Sequence, residues 1–218
     1  RGGNLTYDLN DIQTNEYVDG SGLDTDLYND ATRRIITRMY DEDARTMERV
    51  QYDLIVTTLR WIDENAEFCS TPGAVLIFLS GVAEITTMKN MLLSDRRFSK
   101  HGHYVVRTLH AGLSMDEQSL AFETPSNNIR KSVLSTNIAE TGVTIPDVVF
   151  VIDTLSVKEV RYNERTRVRS LVKCYVPQSS AEQRRGRAGR VREGHCFRLV
   201  TRHTYDDLNK ELTPEMLR

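Results

Sequence analysis

At 218 residues the chain can bury a sizeable core, and its 39% hydrophobic and 28% charged content excludes a disordered or fibrous protein. No apolar run approaches the ~18 residues of a membrane span, and the polar RGGNLTYDLND start lacks the core of a signal peptide. The expectation is a soluble, unanchored intracellular chain, with nuclear, cytoplasmic and organellar compartments left open. Cys69, Cys174 and Cys196 are odd in number and lack CxxC spacing, which argues against a disulfide framework or zinc ribbon. His101, His103 and His110 have no paired cysteine or acidic ligand near them in sequence, so no metal site is expected. The net charge of -2 hides an asymmetry: residues 1–70 hold 15 acids and 7 bases, whereas residues 158–202 hold 13 bases and 4 acids. Composition leaves two readings of that basic block open, a surface for phosphates or a solvated charged face.

Residues 1–43 read as a polar lead-in, with Gly20, Ser21 and Gly22 marking a flexible loop. From Ala44 to Ala66, Met47, Val50, Leu54 and Trp61 recur at helical spacing, with Ile55, Leu59 and Ile62 on the adjoining stripe. Thr71, Pro72 and Gly73 then end the connection. AVLIFL (74–79) predicts a buried strand, and Val82, Ile85, Met88 and Leu92 predict a helix after it. YVVRTL (104–109) predicts a second strand, followed by a helix around Met115–Phe122. KSVLS (131–135) and DVVFVID (147–153) add two more strands. Short apolar strands separated by helices imply crossover connections, hence an α/β layered domain with a mainly parallel sheet flanked by helices. RYNERTRVRSLVKCYV then alternates and predicts a β-hairpin with arginines on one side. Ser179 and Glu182 stand at capping-box spacing, which predicts a helix from about Ser180. GHCFRLV (194–200) predicts a last strand.

The sharpest signal is QRRGRAGR at 183–190. A helix opened by that capping box would carry Gln183, Arg187 and Arg190 on one face, with Gly186 and Gly189 letting the face approach another backbone. Two guanidiniums and an amide suit a γ-phosphate, whose charge spreads over its oxygens during transfer. A merely solvated helix has little reason to carry two interior glycines, each costing about 1 kcal/mol relative to alanine.

QRRGRAGR resembles motif VI of superfamily 2 helicases, and other blocks follow in the family's order. VLIFLSGVAEI (75–85) resembles motif IV, LHAGLSMDEQSLAFE (109–123) the next block, and STNIAETGVTI (135–145) with DVVFVID motif V of the DEAH/RHA-type RNA helicases. Residues 44–205 are thereby identified as a second RecA-like lobe, a helicase C-terminal domain, with the hairpin between motifs V and VI as a family feature.

What the resemblance implies is an ATP-dependent RNA helicase. Gln183, Arg187 and Arg190 would face ATP as the catalytic set, Gln183 orienting the attacking water. Phe122 would stack on the nucleotide base, although a core role is the other reading of such an aromatic; Thr144 and Gly142 would lie on the nucleotide side. Ser80, Gly81, Thr136, Asn137, Lys158 and Arg161 would hold RNA by its backbone, single-stranded and without regard to sequence. Helix capping remains open for Ser135–Asn137, as does a solvated role for the hairpin arginines 161, 165, 167 and 169.

Three positions depart from the pattern. Gly142 stands where many members have serine, Pro146 where many have aspartate, and Leu155 where glycine is common. The phosphate loop and the magnesium-binding acid of a complete ATPase are not in the sequence. DENA (63–66) resembles the DExx box but stands in the wrong order, so Asp63 and Glu64 read as surface residues. The expectation is therefore half of a site: magnesium held mainly by a first lobe N-terminal to this sequence, and an isolated fragment that hydrolyses nothing. TPEMLR (213–218) resembles the start of the connection to a winged-helix domain, which places residues 206–218 outside the lobe. The partners implied are RNA, the first lobe and the C-terminal helicase domains of the same protein, and no membrane. The competing reading is a degenerate helicase lobe kept to bind RNA or protein.

Overall fold

The computed structural model describes residues 52–65, 68–69, 71–99, 104–125, 129–163, 167–189 and 193–211. The lead-in 1–43, the proposed start of the first helix, His101, His103, Arg165, Arg190 and TPEMLR lie outside these residues. The chain divides into two compact units at Ser70 and Thr71, each described by itself.

In the first unit, α1 (Tyr52–Glu64) buries Ile55, Thr58, Leu59 and Ile62. That is the stripe the periodicity predicts, closed over by an edge-on contact of Trp61 with Phe68. Asp63 is half-buried and Glu64 exposed.

The second unit holds β1 (Ala74–Phe78), α2 (Val82–Ser94), β2 (Tyr104–Leu109), α3 (Met115–Ser119), β3 (Arg130–Ser135), α4 (Ile138–Thr141), β4 (Val148–Asp153), β5 (Ser156–Asn163), β6 (Val168–Tyr175), α5 (Gln178–Arg185), β7 (His195–Arg198) and α6 (Arg202–Asp206). Five strands form a sheet in the order β2-β3-β1-β4-β7, and every pairing in it is parallel. Strands β1 and β4 are buried along their whole length and β3 from Lys131 onward, whereas β2 and β7 are half-buried at the edges. This is why the central strands read as continuous apolar runs. Ala74, Leu76, Phe78, Leu109, Val133, Ala139 and Val151 make the main core cluster.

The order of strands places the working edge. After β1 the chain crosses to β2 at one side of the sheet, while β4 neighbours β7 at the other. Ligands bind open α/β sheets outside the carboxyl ends at such a switch point. Ser80, Gly81, Thr136 and Asn137 all follow carboxyl ends of this sheet.

The hairpin β5–β6 corrects one expectation. Its register pairs Lys158 with Lys173, Val160 with Leu171 and Tyr162 with Arg169, whereas Arg161 opposes Ser170. Alternation therefore puts Arg161 and Arg169 on opposite faces. The described arginines do not share one side, since the register sets Arg161 opposite Ser170 and Arg169 opposite Tyr162, and Arg167 precedes β6 with φ 54°.

A second correction concerns α5. Its N-cap is Pro177, with no side-chain capping bond, so the helix starts before Ser179 and the capping box does not form. The Ser179 amide donates instead to the Lys210 carbonyl at 3.0 Å. The helix also stops at Arg185, with Gly186 as C-cap. Arg187 and Ala188 continue only through amides donated three residues back. Gln183 and Arg187 therefore do not lie on one α-helical face. Gly186 approaches no foreign backbone, since a Cβ there would meet only the Gln183 and Glu182 carbonyls at 3.4 Å. The close approach is made by Gly194, whose Cβ would lie 2.4 Å from the Gly189 nitrogen, and Gly189 itself has φ 81°.

Candidate functional site

The ends of β1 and β3 are locked together. The Leu79 amide donates to the Ser135 carbonyl at 2.8 Å, and the single Ser135 Oγ proton is shared between the Leu109 carbonyl at 3.1 Å and the Thr136 carbonyl at 2.9 Å. Ser135 is fully buried and spent on this staple, so it is not available to a ligand. Beyond it, Ser80–Gly81 and Thr136–Asn137 leave adjacent, registered strand ends.

Gly81 is the N-cap of the 13-residue α2 and contributes no capping side chain. The first amides of that helix thus point toward Ser80, whose hydroxyl is buried and has no partner among the described residues. Lys158 comes in from the hairpin and pairs with Glu84 at 2.8 Å. A side chain at Gly81 would collide with it, the Lys158 Cδ lying 3.1 Å and Nζ 3.3 Å from a Cβ built there. Burial opposes the charge on Glu84, yet the Lys158 ammonium holds its carboxyl below the ordinary range. The structure therefore brings Ser80, Gly81 and Lys158 into one place.

Motif V follows β3. The Thr136 amide donates to the Leu109 carbonyl at 3.2 Å, and the Ala139 and Glu140 amides bond within the turn to the Thr136 and Asn137 carbonyls. Asn137 is exposed and makes no capping bond, so capping does not account for its side chain. Gly142 ends α4 at φ -80°, a conformation open to any residue, and a Cβ there would meet only the Ile138 carbonyl at 3.5 Å. Serine at this position is sterically permitted.

On the other side of motif V, Arg187 donates to the carbonyls of Val143, at 3.0 Å, and Glu140. With Val143, Thr144 and Ile145 it lines a shallow recess. Phe122 is half-buried and packs with Ile138, Val143 and Ala188 against the main core cluster. Gln183 is exposed on α5, and Arg161 is exposed on the hairpin, away from the Lys158 face.

The residue that sequence reasoning passed over is Arg184. It is fully buried, donates from Nε to Glu140 at 3.0 Å and from Nη1 to Asp153 at 3.0 Å, and lies 4.8 Å from the centre of the Phe78 ring. Burial pushes the Asp153 carboxyl above its ordinary range, and the guanidinium pulls against that rise. Glu140 is thus gripped twice by motif VI, its carboxylate by Arg184 and its carbonyl by Arg187. A signal existed: Ser180, Ala181 and Arg184 fall at buried-face spacing, and the apolar strand ending in Asp153 demanded a cation.

The outer side of α5 is also fixed. Burial acts to raise the Glu182 pKa, but hydrogen bonds from Arg198, Arg185 and Tyr205 outweigh it and hold the carboxyl at about 2. Among the described residues no group of three or more His, Cys, Asp or Glu side chains is placed to hold a metal ion. None of the described helices is long and apolar enough to cross a membrane.

A parallel five-stranded lobe with an arginine-bearing helix stapled to the strand-to-helix turn at its carboxyl edge is the RecA-like lobe of a helicase. The model of the helicase conserved C-terminal domain matches residues 58–192, and the chain belongs to that family, as the second lobe of the DEAH/RHA type. It is 49% identical over 170 residues to ATP-dependent RNA helicase DHX29 of Mus musculus, covering 78% of this chain and 12% of that protein. To ATP-dependent RNA helicase dhx29 of Xenopus laevis it is 44% identical over 203 residues, covering 91% of this chain and 14% of the relative. The crystal structure of the E. coli DExH-box NTPase HrpB superposes with a TM-score of 0.67 at 30% identity, over 77% of this chain and 20% of that one. The chain thus spans 12–14% of the length of these curated relatives.

Proposed function

We propose that this lobe closes over ATP held by a first RecA-like lobe of the same protein and converts the nucleotide state into a grip on single-stranded RNA. The observation that carries this reading is the double hold of Arg184 and Arg187 on Glu140. It ties the helix of the nucleotide side to the turn that bears Thr136 and Asn137. In this reading Gln183 orients the attacking water, and Arg187 and Arg190 stabilise charge developing on the γ-phosphate. The shallow recess of Val143, Thr144 and Arg187, with Phe122 on the same core cluster, is the side from which the nucleotide would be met. Magnesium would supply charge neutralisation and would be held mainly by the first lobe.

RNA would lie along the carboxyl edge. The unpartnered Ser80 hydroxyl, the helix start at Gly81, and the side chains of Thr136, Asn137 and Lys158 suit a phosphate backbone, with Arg161 further along the hairpin. None of these groups reads a base edge, so binding is sequence-independent. The isolated lobe hydrolyses no ATP.

Arg190→Ala in the full-length protein tests the assignment. ATP turnover should fall by about 10³-fold or more while RNA affinity holds within about threefold. Equal loss of both activities would remove the arginine from the γ-phosphate. Measurable turnover by the isolated lobe would defeat the claim that it is half a site.

A further inference from the structure

Lys131 opens the buried part of β3 and is itself 1% exposed. A buried ammonium needs polar partners, and this one has two carbonyl acceptors and a carboxylate beside it. Its Nζ donates to the Ala121 carbonyl at 2.9 Å and the Glu123 carbonyl at 2.8 Å, and forms an ion pair with Asp147 at 2.8 Å. Those two carbonyls belong to the residues on either side of Phe122. The segment after α3 has no sheet ladder there to take them, so the lysine supplies the donors that regular structure would otherwise provide. Asp147 lies three residues beyond Thr144, in the connection from motif V to β4, and its carbonyl takes the Ala74 amide at 2.7 Å. The lysine therefore bolts the backbone around Phe122 to the motif V connection.

We propose that Lys131 is a positioning residue for nucleotide binding, clamping the 121–123 backbone to Asp147 so that the Phe122 ring is presented to the base from the core cluster it shares with Val143 and Ala188. This rests on the reading of Phe122 as the base-stacking residue. Lys131 touches no substrate. Its replacement by methionine fills the volume but orphans two carbonyls and leaves Asp147 without its cation, so the segment must turn to find other donors. The cost should fall on recognition of the base and leave the phosphate chemistry intact.

The test compares steady-state RNA-stimulated hydrolysis of ATP and of ribose 5′-triphosphate, which has no base, by the full-length protein. Phe122→Ala should raise the KM for ATP roughly tenfold with kcat within about twofold, and leave the KM for ribose triphosphate unchanged. Lys131→Met should show the same pattern at roughly threefold to tenfold, and the double variant should be no worse than Phe122→Ala alone. An unchanged KM for ATP in Lys131→Met, beside a raised one in Phe122→Ala, overturns the clamp and spares the stacking reading. Phe122→Ala without effect overturns the stacking reading, and the clamp with it. Equal damage with both triphosphates in Lys131→Met reduces the lysine to general support of the fold and also overturns the proposal. Should Lys131→Met not fold, Lys131→Arg decides. It keeps the charge on a planar fork that cannot meet all three acceptors, so a smaller rise confined to ATP is expected, and no rise overturns the clamp.

Discussion

The carboxyl edge of the parallel sheet and the hairpin that springs from it carry basic residues of the same kind under opposite constraints. At the edge Arg184 is buried, as is Lys131 at the amino end of β3, and each is matched by acids or by backbone carbonyls. On the hairpin, Val160 and Leu171 stand opposite each other at 61% and 62% exposure, and Arg161, Arg169 and Tyr162 are exposed as well. Its root is held by Leu155, Val157, Cys174, Val176 and Ala181 packed as a second cluster, with Lys158 just beyond paired to Glu84. The contrast shows where geometry is fixed. In the proposed reading, groups that would meet ATP are set by buried ion pairs and backbone, whereas those that would track a flexible strand project from a stalk anchored at its root.

Arg184→Ala should break this contrast most severely. It leaves Asp153 and Glu140 without their cation in the interior, and removing one partner of a buried pair costs about 3–5 kcal/mol. Urea unfolding of the chain measures it. A loss under about 1 kcal/mol would mean that Glu140 is held by Arg187 alone.

Leu155→Gly comes next, at the joint between the two regions. Leu155 has φ 53°, in the left-handed region that favours glycine, yet its side chain is fully buried in the hairpin-root cluster. Glycine would relieve strain of about 1–2 kcal/mol and lose a packed leucine worth about 2–5 kcal/mol. Thermal or urea unfolding should show a net loss of about 1–3 kcal/mol. A gain would show that the leucine does not hold the hairpin's root. The departure from glycine thus exchanges backbone ease for an anchored stalk.

These residues also show what a sequence can display. The central strands were legible because a parallel sheet covered on both faces leaves unbroken apolar runs, and α2 was legible through Ile85, Met88 and Leu92. The family resemblance singled out Ser80, Gly81, Thr136, Asn137 and Lys158, and the strand register sets the first four at one edge with Lys158 reaching in. The start and end of α5 were not legible. Pro177 fixes the start, and the close passage of Gly189 by Gly194 belongs to the loop beyond the end, a contact between residues that no periodicity relates. Arg184 and Lys131 were hidden for a different reason. Charged residues are read as surface unless their partners are known, and Asp153, Glu140 and Asp147 come from other strands and turns. The two-faced distribution of the hairpin arginines depended on the pairing register, which the alternation alone does not show.

The smallest effect on stability should come from the hairpin, where Val160→Thr with Leu171→Thr keeps the β-branched or strand-compatible character of both positions while removing their apolar surface. Neither side chain is buried, so stability should stay within about 0.5 kcal/mol. Lys158, Arg161, Arg169 and Lys173 are untouched, and the salt dependence of RNA affinity in the full-length protein should therefore be unchanged, since that slope counts phosphate contacts. If the exposed pair works against bases as strands part, duplex unwinding should slow with ATP turnover retained. A stability loss above about 1 kcal/mol would put the hairpin among the buried parts of the lobe and erase the contrast with the sheet edge. Unwinding at the original rate would leave the stalk its charges alone, a guide for phosphates with no part in separating bases.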